Sequence, residues 1–148
     1  AFTAEGVVLT KGEATTGRLE LNLSAQPDLA QTLVVTCAML GRPFCFSGLE
    51  SLRIKETDRL AALQQELRKL GCEVVVEGDA VLRCDAPQPA TVATAPIATY
   101  DDHRMALAFA PVALVNKEIK INQPDVVSKS YPQFWNDLIQ SGFEINET

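Results

Sequence analysis

Residues 53–71, RIKETDRLAALQQELRKLG, decide the fold class because they contain the most regular helical pattern of the chain. Asp58 stands where the helix starts, and Gly71 stands where helices commonly end in a left-handed residue. The apolar positions between them share one helical face: Leu60, Leu63, Leu67 and Leu70. The stretch therefore predicts an amphipathic helix whose leucine face lies in the core.

Strands are predicted on both sides of this helix. The segment 42–48, RPFCFSG, is typical of one strand, and residues 72–85, CEVVVEGDAVLRCD, are typical of two strands joined by an EGDA turn. Further strands are predicted at residues 7–10, 18–23 and 117–121, and a loop with a possible short strand at 86–96.

Two other helices are apolar on nearly every side. They cover residues 27–40, PDLAQTLVVTCAML, and 103–115, HRMALAFAPVALV. A helix without a polar face is usually buried all round, and Pro111 is expected to kink or end the second of them. Residues 131–142, YPQFWNDLIQSG, predict a last amphipathic helix.

The two halves of the chain repeat one pattern. The separation of Lys55 from Asp28 is the same as the separation of Lys129 from Asp102. Apolar positions also match at the offset that leads from Asp28 to Asp102. We expect a duplicated β–α–β–α unit whose length is this offset, with chance agreement between a few anchors as the alternative.

The composition is that of a soluble globular domain, with 148 residues, 47% hydrophobic and 22% charged. A net charge of −6 argues against a nucleic-acid or anionic-membrane partner, since both favour basic surfaces. No apolar run is long enough to span a membrane. The first residues lack a signal-peptide pattern and an initiator Met, so we expect a trimmed or partial chain.

The cysteines favour a reducing, cytoplasmic setting. None of the four forms a C-x-x-C pair, and His103, the single histidine, is distant from them in sequence. Buried thiols are therefore a better interpretation than zinc ligands or disulfides.

Charged clusters occur at four predicted loop-to-helix junctions, around residues 28, 55–59, 100–104 and 128–129. Helix N-termini offer unpaired N–H groups and a partial positive charge, which suit phosphates and carboxylates. The carboxylates of Asp28 and Glu56 are better suited to moving a proton. The cations would hold a small polyanion: Lys55, Arg59, Arg104 and Lys129.

Each cluster also has a structural interpretation. Asp28 could simply cap a helix, Arg59 could be a solvated salt-bridge residue, and Lys129 could be an ordinary loop lysine. DDHR could be a capped helix start with an exposed His103. Recurrence at four equivalent helix starts favours a functional site.

Four motifs resemble those of the 5-enolpyruvylshikimate-3-phosphate (EPSP) synthases in the same order: QPDLAQT, LRIKETDRLAAL, TYDDHRMALAFA and VSKSYPQFW. The similarity covers residues 18 to about 145. KETDR and DDHRMA together disfavour the sibling UDP-N-acetylglucosamine enolpyruvyl transferases. The resemblance implies transfer of the enolpyruvyl group of phosphoenolpyruvate to the 5-hydroxyl of shikimate 3-phosphate, with release of phosphate and without a metal or organic cofactor.

The resemblance also implies roles for individual residues. Asp28 would contact shikimate 3-phosphate and accept the proton of its 5-hydroxyl, and Glu56 would move a proton to and from the methylene carbon of phosphoenolpyruvate. Lys55 and Ser51 would contact shikimate 3-phosphate, although many family members have Asn where this chain has Ser51. Three cations would hold phosphoenolpyruvate: Arg59, Arg104 and Lys129.

The fold implied is α/β (α+β), with apolar helices packed inside against sheets. The chain would form a partial single lobe of about two tandem β-α-β-α-β-β units, one at about residues 18–85 and the other at about 91–148. The family's N-terminal lysine motif and the Ser-Ser-Gln stretch of its other lobe have no counterpart here. We therefore expect the remainder of the polypeptide as a partner, and no turnover by this chain alone. The alternative is a non-catalytic anion-binding or scaffold module of the same fold.

Overall fold

The computed structural model describes residues 2–3, 6–8, 10, 12, 17–86 and 95–146. In these ranges the helices are α1 (Ala30–Met39), α2 (Arg59–Lys69), α3 (His103–Phe109), α4 (Ala113–Asn116) and α5 (Phe134–Gln140). None of these helices is long and apolar enough to cross a membrane. Short 3-10 turns cover Pro27–Leu29, Glu50–Ile54, Ala110–Val112 and Pro124–Lys129. The strands are β1 (Phe2–Thr3), β2 (Gly6–Val7), β3 (Leu19–Asn22), β4 (Phe44–Ser47), β5 (Val75–Glu77) and β6 (Val81–Cys84).

Strands β3 to β6 form a four-stranded sheet in the order β3-β4-β6-β5. β3 and β4 are parallel, and α1 makes the crossover between them. β4 pairs antiparallel with β6, and β6 pairs antiparallel with β5 across a turn at Gly78. The predicted strands within 18–23, 42–48 and 72–85 are thereby confirmed. β1 and β2 pair antiparallel outside this sheet. Of the strand predicted at 7–10, Val7 lies in β2, Val8 and Thr10 lie outside strands, and Leu9 lies outside the described residues.

Helix α2 confirms the amphipathic prediction. Its four predicted leucines are fully buried, beneath a sheet face on which Phe44 and Phe46 stack with ring centroids 5.0 Å apart. Asp58 is the N-cap and accepts hydrogen bonds from the N–H groups of Leu60 and Ala61, each at 3.1 Å. Gly71 follows the helix with φ of +77°, a conformation that glycine adopts without steric cost.

The two apolar helices exist and pack against each other, as α1 and α3. Pro111 ends α3 as predicted, because a 3-10 turn and the short α4 replace further α-helix. Burial of α1 is one-sided, however. Thr32 and Thr36 are exposed, and Leu40 at its C-terminal end is 71% exposed. The face of α1 away from the sheet and α3 is thus uncovered by the described part of the chain.

The strand predicted at residues 117–121 is wrong. The described residues there make one isolated parallel bridge, between Ile97 and Ile121. A φ of +65° takes Lys117, the first residue of the segment, out of the extended region, and Ile121 is its one bridged residue in the described part of the chain. Most of the possible short strand at 86–96 lies outside the described residues.

The last predicted helix is confirmed as α5, but it is shallowly packed, with no buried residue of its own. Phe134 and Trp135 are half-buried against a small cluster of Ala106, Val126 and Val127. This second cluster is much smaller than the core beneath the sheet.

Similar backbone contacts occur near the predicted offset. The N–H of Leu23 donates to the carbonyl of Ser47 at 2.8 Å. The N–H of Ile97, the equivalent of Leu23, donates at 2.8 Å to the carbonyl of Lys120, one residue before the equivalent of Ser47. The 3-10 turns Glu50–Ile54 and Pro124–Lys129 begin at equivalent positions by the same offset. These matches support the repeat, whose boundaries stay a prediction.

The four cysteines are free thiols, with Cys37, Cys72 and Cys84 buried and Cys45 half-buried. Burial raises the pKa of Cys37. Burial and the adjacent Cys84 raise the pKa of Cys72 to about 12. These two thiols therefore stay protonated at neutral pH, where a thiol is a poor nucleophile.

The carboxyl ends of β3 and β4 approach each other closely at Gly48. Its φ is +77°, and a Cβ atom there would overlap Ser24 Oγ and lie 2.7 Å from the Ser24 backbone nitrogen. Only glycine fits this position, which lies just before the 3-10 turn Glu50–Ile54.

Candidate functional site

The site lies beyond the carboxyl ends of the parallel strands β3 and β4. The chain leaves these strands into the 3-10 turns Pro27–Leu29 and Glu50–Ile54, which contact each other. Asp28 lies in the first turn and Ser51 in the second. Lys55 and Glu56 follow the second turn and lead to the start of α2. Sheet topology thus gathers residues that are far apart in sequence, as expected at this edge of parallel strands.

Arg59, the first residue of α2, is the centre of the cluster. Its side chain is 2% exposed. Nη1 donates to Asp28 Oδ1 at 2.8 Å, and Nη2 donates to Glu56 Oε2 at 2.7 Å. Nε donates to Asp102 Oδ2 at 2.6 Å. The solvated salt-bridge interpretation of Arg59 is therefore wrong, because a buried guanidinium here binds three carboxylates.

Arg104 joins the cluster from α3, which packs on α1. Its Nη2 donates to Asp28 Oδ2 at 3.1 Å, and its Nη1 donates to the Asp28 carbonyl at 3.3 Å. Asp28 is not a helix cap, since its carboxylate is bonded to arginines instead of to helix N–H groups. The structural alternative for this residue is wrong.

Asp28 is surrounded by positive charge. Lys55 Nζ lies 3.6 Å from Asp28 Oδ1, in addition to the two arginines. Burial alone would raise the pKa of Asp28, but the charges of Arg104, Lys55 and Arg59 outweigh burial and lower it below its ordinary value. Asp28 is therefore ionised at neutral pH and can accept a hydrogen bond, and the same cations make it a weaker base than an ordinary aspartate.

Lys129 lies beside the cluster and not at its centre. Its Nζ donates to the Asp101 carbonyl at 2.7 Å and lies 2.8 Å from Asp101 Oδ1. Asp101 is the neighbour of Asp102, so Lys129 is connected to the Arg59 cluster through the backbone. Ser51 is half-buried in its turn, outside the hydrogen bonds given above for the cluster.

Asp58 serves the helix, as predicted. Besides capping α2, it accepts a hydrogen bond of 2.8 Å from Arg53 Nη1. Burial alone would raise the pKa of Asp58, but the Arg53 side chain and the helix N–H groups lower it. Arg53 also donates to the Gly78 carbonyl at 2.8 Å, which connects the start of α2 to the β5–β6 turn.

The partnership of Arg59 with Asp102 is what sequence reasoning missed. Asp102 is fully buried and caps α3 by accepting the Arg104 N–H at 2.9 Å, as the DDHR motif suggested. Its second role, as the ion partner of Arg59, joins residues 43 positions apart. No local pattern signals a contact over that distance.

Chemically, the cluster combines cations with two reachable carboxylates. Lys55 and Arg104 are each 35% exposed at the side chain, and Glu56 is 40% exposed, so a solute can approach all three. Among the described residues, no three His, Cys, Asp or Glu side chains are grouped as metal ligands. The arrangement is suited to binding a small anion next to groups that can exchange a proton.

Comparison with known proteins identifies the family. The model of the family described as EPSP synthase (3-phosphoshikimate 1-carboxyvinyltransferase) matches residues 3–138. The chain belongs to the EPSP synthase family. This result confirms the resemblance found in the KETDR and DDHRMA motifs.

Two curated family members, both called 3-phosphoshikimate 1-carboxyvinyltransferase, are similar in sequence to nearly all of this chain. The 3-phosphoshikimate 1-carboxyvinyltransferase of Bacteroides fragilis (strain YCH46) is 49% identical over 144 residues, which are 97% of this chain and 35% of that protein. The one of Cellvibrio japonicus is 39% identical and covers 95% of this chain and 34% of that protein. This chain thus spans about a third of the length of these curated relatives.

A solved structure of EPSP synthase from Acinetobacter baumannii shares the fold. It matches with a TM-score of 0.68 at 22% identity, over 81% of this chain and 28% of that one. The predicted α/β class, with helices packed on a small open sheet, is confirmed by this match and by the sheet described above.

Proposed function

We propose that this chain is part of an enzyme that transfers the enolpyruvyl group of phosphoenolpyruvate to the 5-hydroxyl of shikimate 3-phosphate. Family membership and the names of the relatives support the proposal. The observation that carries it is the cluster in which Asp28 and Glu56 share the buried Arg59. Two carboxylates beside several cations match a reaction that joins two anions and moves protons.

Binding is the first task of the site, because both substrates are anionic and repel each other unless cations intervene. We assign Arg59, Arg104 and Lys129 to phosphoenolpyruvate, and Lys55 with Ser51 to shikimate 3-phosphate. Arg59 has its nitrogens bonded to carboxylates, so an incoming anion would take the place of Asp28 or Glu56 on this guanidinium.

Proton transfer is the second task. Asp28 is ionised and would accept the proton of the 5-hydroxyl as its oxygen bonds to C2 of phosphoenolpyruvate. Glu56 would deliver a proton to the methylene carbon in the same addition. In the elimination that follows, Glu56 would take a proton back from that carbon while the C2–O bond to phosphate breaks. Glu56 would therefore begin and end the cycle protonated, and the hydroxyl proton taken up by Asp28 would leave on the departing phosphate, which restores the Asp28 carboxylate.

We propose that the rest of the polypeptide completes the cleft. This chain spans about a third of its relatives, and the cations of the cluster are reachable from outside. On this proposal the chain alone binds substrates weakly and does not turn over. The cytoplasmic location and the lack of a cofactor stay predictions.

Phosphate release tests the proposal. The chain is assayed alone and after mixing with the missing portion of the polypeptide, as wild type, as Glu56→Gln, and as a matched Glu73→Gln control at an exposed position beyond the end of α2. We expect turnover only in the mixture, lost in Glu56→Gln and retained in Glu73→Gln.

Calorimetry with each substrate separates the alternatives. Glu56→Gln should bind both substrates at least as well as wild type, since the substitution removes a proton carrier and an anionic competitor for Arg59 and removes no cation. Full turnover by the chain alone would contradict the proposal that the rest of the polypeptide completes the cleft. Binding without turnover in every mixture would favour the non-catalytic anion-binding module.

A further inference from the structure

Helix α2 carries a buried carboxylate about two turns after Arg59. This residue, Glu66, is fully buried, although the charged side chains of an amphipathic helix ordinarily face solvent. Its Oε1 accepts a hydrogen bond from the Tyr100 hydroxyl at 2.7 Å. Its Oε2 accepts from the Ala98 N–H at 3.0 Å and from Lys69 Nζ at 2.6 Å. Both oxygens of this carboxylate are therefore hydrogen-bonded, by three donors in all.

Lys69 extends the same contact along the chain. Its Nζ donates to the Pro96 carbonyl at 2.8 Å while it is bonded to Glu66. Burial, the hydrogen bond to Glu66 and the negative charge of Glu66 raise the pKa of Tyr100, so its hydroxyl remains a donor. Helix α2 thus holds residues 96–100 through one carboxylate and one ammonium group.

The segment held in this way has an unfavourable backbone. Tyr100 and Asp101 are consecutive non-glycine residues in the left-handed region, with φ of 55° and 57°. Such conformations persist where surrounding contacts fix them. The bonds to Glu66 end at Tyr100, directly where this strained pair begins.

The strained pair leads straight into the site. Asp101 pairs with Lys129, Asp102 pairs with Arg59, and Arg104 pairs with Asp28. Helix α2 meets this segment at two places, at Arg59 and, about 10 Å further along the helix, at Glu66. The second contact fixes the direction in which the segment enters the cluster.

We propose that Glu66 is a positioning residue, which holds residues 96–104 against α2 so that Asp102 and Arg104 reach their partners. The structural part of this inference stands on the contacts above, and its consequence for turnover rests on the proposed function. Glu66 itself is remote from the reacting groups and acts through Ala98 and Tyr100.

Glu66→Gln is the informative substitution because it preserves size while it removes the negative charge paired with Lys69 and changes the hydrogen-bonding pattern. Three donors face Glu66, and a Gln amide replaces one acceptor oxygen by a donor NH₂ group. The remaining amide oxygen can still accept from Ala98 and Lys69. The Tyr100 hydroxyl can donate to Gln65 Oε1 at 2.8 Å instead. The substitution therefore removes the charge of the acceptor, and charge-assisted hydrogen bonds are about twice as strong as neutral ones. The matched control is Glu73→Gln, which makes the same change at an exposed ion pair with Arg68.

The first readout is NMR of the chain itself. Amide exchange of Ala98 and Arg104, and exchange of the Arg59 Nε proton bonded to Asp102, report on both ends of the segment. We expect Glu66→Gln to raise these rates about tenfold or more, while amides of β4 and the Glu73→Gln control remain as in wild type. Unchanged exchange at Arg104 and Arg59 would overturn the inference. If Glu66→Gln fails to fold, Tyr100→Phe removes one donor and should raise the same rates by a smaller factor.

The second readout is turnover with the missing portion of the polypeptide added. We expect Glu66→Gln to raise KM for phosphoenolpyruvate about tenfold with a smaller change in kcat, because misplaced cations weaken anion binding. A general loss of folded protein would instead lower kcat and leave KM unchanged, and that result would contradict the positioning role. If wild type shows no turnover while the NMR rates change as expected, the proposed function fails and the positioning of the segment stands.

Discussion

The two parts of the molecule differ in how they are held together, although both contribute to one cluster. Residues 17–86 have the four-stranded sheet and most of the main core, in which α2 is anchored by four buried leucines. Residues 95–146 add fewer side chains to that core, such as Met105 and Phe109. Residues 95–146 have one isolated bridge and a helix α5 without a buried residue. The second part therefore depends on the first for its order, and the junction of the two is where the charged residues lie.

Two different kinds of contact, apolar packing and a buried ion pair, form that junction. Apolar packing of α1 on α3 brings the parts together, and the buried pair of Arg59 with Asp102 fixes their alignment. Buried ion pairs contribute little net stability, yet removing one partner is strongly destabilising because the other charge stays buried. The following experiments test whether the second part depends on the first in this way.

Asp102→Ala should have the largest effect. It leaves the buried Arg59 without its closest carboxylate and removes the N-cap of α3. We expect a loss of about 3–5 kcal/mol in the free energy of unfolding, measured by urea titration. Asp101→Ala is the control, since that side chain is 79% exposed and its ion pair with Lys129 should contribute about 1 kcal/mol or less. Equal losses would show that Asp102 has no special part in the junction.

Truncation of leucines compares the packing of the two parts directly. Leu63→Ala removes a fully buried side chain from the main core and should cost about 2–5 kcal/mol. Leu138→Ala removes a half-buried side chain from α5 and should cost about 1 kcal/mol. Thermal unfolding of both variants at one pH measures the difference. Similar costs would mean that the second part is as firmly packed as the first.

The smallest expected effect is the contribution of Asp58 ionisation to the free energy of unfolding, which is measured as a function of pH. Asp58 has a folded-state pKa below its unfolded value of about 3.9. Its contribution to stability is therefore complete above that value and disappears as pH falls through the folded pKa. Asn caps helices as well as Asp does, so Asp58→Asn should cost about 1 kcal/mol or less at pH 7, mainly through the partly exposed Arg53 pair.

The same comparison at lower pH completes the test. Urea titrations of wild type and Asp58→Asn should converge as pH falls through the folded-state pKa of Asp58, because the wild-type carboxylate then becomes neutral as well. A difference that stayed constant from pH 7 to pH 2 would show that ionisation of Asp58 is not its source.

The sequence correctly predicted those helices and strands that are determined by the pattern of neighbouring residues. The leucine spacing fixed the extent and inward face of α2, and Pro111 fixed the end of α3. The strand at residues 117–121 was predicted wrongly because its KEIKI pattern alternates as a strand does, whereas among the described residues only Ile121 of that segment has a bridging partner.

The features that the sequence did not predict depend on polar contacts between residues far apart in the chain. Arg59 and Glu66 are charged residues of the kind that usually lies on the exposed face of a helix. Both are buried here because α3 and residues 96–100 pack against them, which no local pattern predicts. The site residues were named through the family resemblance. The structure brings Asp28, Lys55, Glu56, Arg59 and Arg104 together, while their chemical roles stay proposals.

Gly48 couples the fold to the site in one further respect. Because β3 and β4 touch there, any larger residue must displace the end of one of these strands. Each strand end continues into a turn that carries a proposed substrate contact, Asp28 on one and Ser51 on the other. A substitution of Gly48 that moves either strand end therefore also moves a turn that carries a proposed substrate contact. At this position the geometry of the sheet and the geometry of the site cannot vary independently.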